Sequence, residues 1–590
     1  MCGIAGYQTH DGKPLPETVL DQFTNSLAHR GPDGTGRYIS GGTGLAQTRL
    51  AVIDLETGDQ PLFSPDGTAL VANGEIYNYV ELREEFSGAK FATNSDCELP
   101  LFTYGRDQND FARSLDGMYA IALIDNKTTS LHLARDPFGI KPLYYAPTDA
   151  GLLFASEPRA LFASGLIEPR LDAGKATELL QLQFTTSEST IYHGVARVAP
   201  GASLELRNGT VIGRNRLQAV LPGQTDLDEE DSLKALDRGL METVEKHQRS
   251  DVPYGMFLSG GIDSSALLAC MARLNERPVT AFTAWFPGSN VHDEREHAKR
   301  VARAAGANHI EVAVTEDDFW NNLPAIVAAM DDPVADYAII PTYLLAREAA
   351  KDLKVVLSGE GGDEVFAGYG RYRRATRPHL LGGRKMYAKG TMAGLGILRD
   401  ESPAWRAGIR AAEERAAGMR VSRLQEAQCV DIDEWLPNDL LIKLDRCLMA
   451  HGVEGRTPFL GAALGSLAFM LPDNLKLRNG MGKYLLRRWL EKALPEAEPF
   501  SKKRGFTVPV GGWITPHAAA LAPMVAGNEG VSRICNADEV ARLFRSASPA
   551  ADKQRKRAIW HLLFFALWHR IHIEGADFSA DVMTLLGDRN

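Results

Sequence analysis

Cysteine is scarce in this chain. Its 590 residues hold six, at positions 2, 97, 270, 429, 447 and 535, and no two form a Cys-x-x-Cys pair. Such a set excludes a disulfide framework and a structural zinc site of the usual spacing. Long apolar runs are missing as well. The longest, Ile559 to Trp568, contains His561 and falls far short of the roughly 18 residues a membrane span needs. It reads as a core helix. Excess basic charge is absent: 65 Lys+Arg stand against 75 Asp+Glu, a net charge of −10. That balance argues against general binding to nucleic acid or a membrane surface. The first residues, Met1-Cys2-Gly3-Ile4-Ala5-Gly6-Tyr7, show neither a basic n-region nor an apolar h-region. No signal peptide is expected, and the protein is placed in the cytoplasm.

What is present is globular. Hydrophobic residues make up 44% and charged residues 24% of the chain, enough for a buried core. At roughly 100–200 residues per domain the length predicts several domains. The first 160 residues are rich in strands and turns. Met118 to Ile124 is unbroken apolar, Asp125-Asn126-Lys127 is turn-forming, and Leu131 and Leu133 alternate with Ser130 and His132. Met118 to Ala134 therefore reads as a hairpin in a sheet covered on both faces. Val19, Phe23 and Leu27 mark an amphipathic helix that could cover such a face.

A polar, acidic stretch near Gln218 to Asp231 suggests a linker. Beyond it strands and helices alternate: strand Tyr254 to Leu258, a loop, a helix with Leu267, Met271 and Leu274 on one face, strand Val279 to Phe286, helix His292 to Ala305, strand His309 to Val314. A later unit adds a helix near Thr342 to Lys351 and strand Lys354 to Leu357. This order predicts a doubly wound parallel sheet with ligands at the carboxyl ends of its strands. The remainder is largely helical by pattern.

Cys2 follows the initiator Met. Removal of Met1 would leave a thiol and a free amine on one residue. An amine with an ordinary pKa near about 8 can take the thiol's proton. Around it, in order, stand His29-Arg30-Gly31-Pro32-Asp33, Arg49-Leu50-Ala51-Val52-Ile53-Asp54, Asn73-Gly74-Glu75-Ile76-Tyr77-Asn78, Ser95-Asp96 and Arg135-Asp136-Pro137-Phe138-Gly139. Taken singly, Asn73-Gly74 could be a hairpin turn, and Arg49 and Asp96 could form a surface ion pair. Together the set resembles the class II glutamine amidotransferases over about residues 2 to 200. The resemblance implies an α+β N-terminal-nucleophile hydrolase sandwich in which Cys2 attacks the side-chain amide of glutamine. Asn73 and the Gly74 N–H would form the oxyanion hole. Arg49 would hold the substrate α-carboxylate and Asp96 its α-ammonium, with Leu50, Ala51, Val52, Ile53, Asn73, Gly74 and Glu75 lining the pocket.

The second half carries Phe257-Leu258-Ser259-Gly260-Gly261-Ile262-Asp263-Ser264-Ser265 between a strand and a helix. Glycines allow close backbone approach to a phosphate, and a helix N-terminus favours anions. It is neither a Walker A loop nor a dinucleotide fingerprint. It resembles the pyrophosphate loop of ATP pyrophosphatases, with Asp263 as a Mg2+ ligand. Asp363, in Ser358-Gly359-Glu360-Gly361-Gly362-Asp363-Glu364, is the candidate second ligand. Nucleotide contacts are implied for Leu258, Ser259, Gly260, Gly261, Asp263, Ser264, Ser265, Ala284, Ser358 and Gly359. Glu360, otherwise a solvated loop carboxylate, is the candidate for acid/base or positioning work. Lys483, in Gly482-Lys483-Tyr484, matches the family lysine over the α-phosphate rather than a helix-surface lysine. Lys502-Lys503-Arg504-Gly505-Phe506 matches a further family segment, and a solvated basic turn fits it nearly as well. His292 and His297, about 140° apart on a helix, do not make a zinc site and are expected at the surface.

Over nearly its whole length the chain resembles the glutamine-dependent asparagine synthetase family. One departure is Gly461, where that family usually has Asp. The expected organisation is a glutaminase domain at 2–210, a linker at 211–231 and an α/β doubly wound synthetase domain with a helical C-terminal part at 232–590. The expected reaction is amidation of aspartate through β-aspartyl-AMP, with glutamine, aspartate and MgATP as substrates. No nucleic-acid or membrane partner is expected, and a homodimer is implied by the resemblance alone. An amidotransferase of the same family acting on another carboxylate stays open. A tRNA-modifying pyrophosphatase is opposed by the net charge. A non-catalytic glutamine sensor is opposed by the presence of every motif position that bears chemistry.

Overall fold

The computed structural model describes residues 2–288, 294–377, 382–501 and 508–587. Met1, His292 and the Lys502 to Phe506 segment lie outside the described residues. The first half is a sandwich of two six-stranded antiparallel sheets. One runs in the order 196–197, 144–148, 151–155, 2–9, 43–49, 34–40; the other runs 210–216, 202–207, 130–135, 117–125, 69–76, 62–63. Ile4, Leu45, Val71, Ala122, Leu133 and Phe154 fill the space between them. Helix Glu17–Ser26 covers the outer face of the first sheet with Val19, Leu20 and Phe23. Helix Leu99–Asp107 covers the second. Both faces of strand Gly117–Asp125 are thus buried, which is why its sequence does not alternate. The Met118 to Ala134 hairpin forms as expected. Strand Thr210–Arg216 occupies the start of the expected linker, and helix Glu229–His247 takes its end.

The second half is built on a five-stranded parallel sheet in the order 308–313, 280–285, 254–257, 355–357, 454–456. The chain runs outward in both directions from the middle, so the order reverses between Tyr254–Phe257 and Val355–Leu357. A crevice opens at the carboxyl ends of strands at such a point. The loops leaving these two strands are Leu258 to Gly261 and Ser358 to Gly361, the two glycine-rich segments singled out above. Each leads into a helix, Ile262–Leu274 and Gly362–Val365.

The C-terminal region is helical. Helix Lys553–His572 buries most of its length. Two buried indoles of that helix find partners: Trp560 Nε1 donates to Ala335 O at 2.7 Å and Trp568 Nε1 to Met330 O at 2.9 Å. Among the described residues no helix is long and apolar enough to cross a membrane. A continuous helical stretch, 423–449, has α-helical ends and a π-helical middle, Asp431–Leu440, which contains Pro437. π-Helical segments are rare and tend to mark places where side chains are re-aimed for function.

Candidate active sites and their connection

Cys2 opens the strand Cys2–Thr9 and lies opposite Arg49 in the pairing with Thr43–Arg49. The Cys2 N–H donates to Asn73 Oδ1 at 3.1 Å. Asn73 and Gly74 sit inside strand Ala69–Ile76, paired with Ala120 and Tyr119, so they form no hairpin turn. Asn73 is fully buried, and its Nδ2 has no hydrogen-bond partner among the described residues. A buried donor without an acceptor is costly, and this one stands beside the candidate nucleophile. A Cβ on Gly74 would meet Met118 O at 2.0 Å, so no other residue fits there. Burial pushes the Cys2 thiol above its ordinary pKa.

The pocket groups gather around this point. Arg49 ion-pairs with Asp59 at 2.7 Å and donates to the carbonyl oxygen of Asp54. Its partner is a highly exposed carboxylate, so Arg49 is only loosely committed. Asp96 is buried and accepts from the Ile76 N–H at 2.7 Å; burial raises its pKa. The Arg49–Asp96 surface ion pair is not formed. Burial, then the carboxylates Glu454 and Asp96, hold Glu75 well above its ordinary value. The segment Leu50 to Ile53 is pinned by two contacts. The Ala51 N–H donates to Asp33 Oδ2 at 2.8 Å, and the Asp251 N–H of the second half donates to Val52 O at 2.9 Å.

In the second half, the buried Lys483 lies 2.7 Å from Asp363 Oδ1 and also binds Asp263 Oδ2. It is no surface lysine. Burial works against its charge, but Asp263 and Asp363 outweigh that and raise its pKa. Two carboxylates from two strand-end loops thus share one ammonium. The loops meet because they lack side chains at the contact: a Cβ on Gly362 would lie 2.6 Å from Asp263 Oδ1. Ser264 Oγ accepts from the Ser259 N–H at 3.2 Å and shapes the first loop. Leu258 is buried and its N–H donates to Phe282 O at 2.8 Å; Ser265 Oγ is buried without a partner among the described residues. Ala284 lies at the carboxyl end of strand Thr280–Trp285. His297, expected at the surface, is buried. Its ring packs on the loop, since a Cβ on Gly260 would lie 3.1 Å from its Cδ2. Amphipathic spacing placed the helix correctly but not the loop folded against it.

Glu360 stands apart from the Lys483 group. Its Oε1 lies 3.1 Å from Lys443 Nζ. Gly461 has a packing reason: a Cβ there would meet Thr243 Cγ2 at 2.8 Å, so helix Glu229–His247 fills the place an Asp would need.

The sequence reading missed the residues that join the two sites. Arg30 is fully buried; its Nε donates to Cys2 O at 3.2 Å and its guanidinium grips Asp445 at 2.7 and 2.9 Å. Arg456 ion-pairs with Glu75 at 3.4 Å and with Glu454 at 2.5 Å. Its carbonyl accepts from the Ser358 N–H at 2.8 Å, the first residue of the Glu360 loop. One arginine therefore touches Glu75, two residues from Asn73, through its side chain and the Ser358 to Gly361 loop through its backbone. Glu454-Gly455-Arg456 follows the family pattern but carried no assigned role, because its partner Glu75 lies hundreds of residues away.

Comparison with known proteins agrees with this layout. A glutamine amidotransferase domain model matches residues 1–216 and an asparagine synthase model residues 235–570. Asparagine synthetase [glutamine-hydrolyzing] 1 of Bacillus subtilis is 34% identical, over 97% of both chains. A putative asparagine synthetase [glutamine-hydrolyzing] of Mycobacterium tuberculosis is 34% identical, over 97% of this chain and 98% of its own. Asparagine synthetase B [glutamine-hydrolyzing] of Escherichia coli is 29% identical, over 90% and 86%. With a glutamine amidotransferase model on the antiparallel sandwich, an asparagine synthase model on the parallel-sheet half, and relatives matched over nearly their whole length, the chain belongs to the glutamine-hydrolysing asparagine synthetase family.

Proposed function

We propose that this protein is a ligase that makes asparagine from aspartate, ATP and the amide nitrogen of glutamine. The observation that carries the reading is the buried, partnerless Nδ2 of Asn73 beside Cys2, in one chain with the Asp263–Lys483–Asp363 group. Residues 2–216, through the last strand of the second sheet, act as the glutaminase, 217–228 as a linker and 229–590 as the synthetase.

After removal of Met1, the Cys2 amine takes the thiol's proton and the thiolate attacks the glutamine amide carbon. Negative charge develops on the amide oxygen, where Asn73 Nδ2 and the Gly74 N–H receive it. Ammonia leaves with the proton held by the amine, and water then releases glutamate from the thioester. Arg49 suits the substrate α-carboxylate because a guanidinium binds it bidentately. The buried Asp96 suits the α-ammonium.

In the synthetase crevice the β-carboxylate of aspartate attacks the α-phosphorus of ATP and pyrophosphate leaves. Leu258 to Gly261, Ser264, Ser265, Ala284, Ser358 and Gly359 surround the nucleotide. Asp263 and Asp363 fit Mg2+, whose sites commonly use one or two carboxylates plus phosphate oxygens; when bound it would neutralise phosphate charge. Lys483 would act on the α-phosphate as a point charge. Ammonia then attacks the acyl carbon, Glu360 receives the proton it loses, and AMP departs. The resemblance also supports a homodimer in the cytoplasm, which sedimentation and cell fractionation would test.

The deciding experiment is Cys2→Ala. Glutamine-dependent asparagine formation is lost while ammonia-dependent formation persists. Loss of both, or formation of ADP in place of AMP, overturns the reading. Amidation of another carboxylate in preference to aspartate would favour the alternative acceptor.

A further inference from the structure

A group of side chains beside Glu360 has no part in the steps above. Lys443, on helix Leu441–Met449, is buried and lies 3.1 Å from Glu360 Oε1 and 3.5 Å from Asp336 Oδ2. Asp439, one turn earlier in the π-helical stretch, is 0% exposed. Its Oδ2 accepts from Gln183 Nε2 at 3.0 Å, and its Oδ1 has no hydrogen-bond partner among the described residues. Asp336, Lys443 and Glu360 all act electrostatically on Asp439. Three carboxylates therefore face one lysine in a buried place, with one carboxylate oxygen bare. Burial, then Asp336, hold the Asp439 carboxyl well above its ordinary pKa, so the group calls for a proton or for a cation that donates hydrogen bonds to it.

The surroundings hold this group in place. Gln183 is in the left-handed region at φ 77. Its carbonyl accepts from the Ala335 N–H at 2.7 Å while its side chain holds Asp439, so one residue sets both acidic walls. Trp560 Nε1 clamps Ala335 O from the other side at 2.7 Å. The Glu360 and Asp336 side chains are 22% and 12% exposed, against 6% for Lys443, so the group opens on the Glu360 side.

The chemistry selects the cation. Among the described residues no three ligand side chains are spaced to hold a metal ion, and the Lys443 ammonium would repel a divalent charge. A primary ammonium carries one charge and three donors. The acceptor amino acid bears one on the carbon adjacent to the side chain that is activated beside Glu360.

We propose that Asp336 and Asp439, held by Gln183 and balanced by Lys443, bind the α-ammonium of the acceptor aspartate and make the site choose an α-amino dicarboxylate over a plain dicarboxylate. This rests on the asparagine-forming reading. In it Lys443 is a positioning residue: it sets Glu360 between the acceptor and the incoming ammonia.

The test uses the full chain with ATP and ammonium chloride, following AMP release with aspartate or with succinate, which lacks the ammonium. Asp439→Asn and Asp336→Asn keep the shape and remove the charge. Each should raise the aspartate KM by about 10- to 100-fold and shrink the aspartate-over-succinate preference by a similar factor. The ATP KM and glutaminase rate should stay unchanged. An unchanged aspartate KM in a variant that melts like the wild type overturns the proposal, as does an ATP KM that rises in step. Should both variants fail to fold, the wild type decides. Turnover of succinate as good as that of aspartate overturns the proposal. Rejection of succinate with acceptance of aspartate α-methyl ester supports it. No AMP from aspartate in the wild type overturns the asparagine reading as well, whereas turnover with indifferent variants overturns the subsite alone.

Discussion

Around Cys2 the reactive groups project from paired strands. The register sets Cys2 against Arg49, and Asn73 and Gly74 lie in the middle of a strand held on the neighbouring Gly117–Asp125. Around Lys483 the candidate groups project from loops, and Asp263 and Asp363 share the one lysine. The difference follows from the charge each reaction must handle. An amide oxygen turning anionic needs one or two neutral donors, and a hydrogen-bonded lattice can fix those without further support. A triphosphate brings several negative charges, so a site for it needs cations, and here the one buried lysine is held by two carboxylates.

That contrast can be broken in order of expected effect. Lys483→Ala should lower AMP formation by roughly 10³-fold, the scale of a charged group in phosphoryl-type transfer. Glutaminase activity should be untouched, as measured by glutamate release without aspartate. Arg456→Met should join the two sites in failure. It strands the buried Glu75 and Glu454 and should cost about 3–5 kcal/mol of stability, read from the denaturant midpoint. Asn73→Ala should slow glutamine hydrolysis by about 10²- to 10³-fold in kcat with ammonia-dependent synthesis intact. A fall in both activities would mean that the strand lattice, not the donor, was lost.

The smallest effect concerns acid. Burial lowers His451, His561 and His572, all in the second half, to about 4. Between that value and the ordinary value near about 6.5, the unfolded chain binds these protons and the folded chain does not. Stability of the second half should therefore fall as pH drops below about 6.5, by about 1.4 kcal/mol per pH unit for each such group. His561→Gln should flatten a melting-temperature profile by one group's share over that window. A profile that keeps its full slope would remove His561 from the cause.

Much of the fold was legible because its signals are local. The unbroken Met118 to Ile124 run reported a sheet covered on both faces, and the strand–helix alternation after Tyr254 reported the parallel sheet. Cys2, Asn73 and Lys483 were singled out for another reason: their types and order match a family, and in the fold Asn73 lies beside Cys2 and Lys483 beside Asp263 and Asp363. Three things were not legible. His297 was expected in solvent because periodicity describes one helix and says nothing of the loop that folds over it. Arg30 and Arg456 stood in matched motifs without a role, because each joins the halves through partners remote in sequence. Lys443, Asp336, Asp439 and Gln183 were passed over because a lysine on a helix looks like any other until carboxylates from three segments surround it.

The amino-acid order alone determined which groups could react: a thiol next to the initiator, two carboxylates on glycine-rich loops, a lysine ahead of a helix. Residue identity and short-range geometry are enough for that, since both are written within a few positions of each other. Only the tertiary structure decided which charges face one another, because a buried ion pair depends on separation in space and on the water excluded around it. The arginine link between the sites and the acidic wall beside Glu360 are both of that second kind.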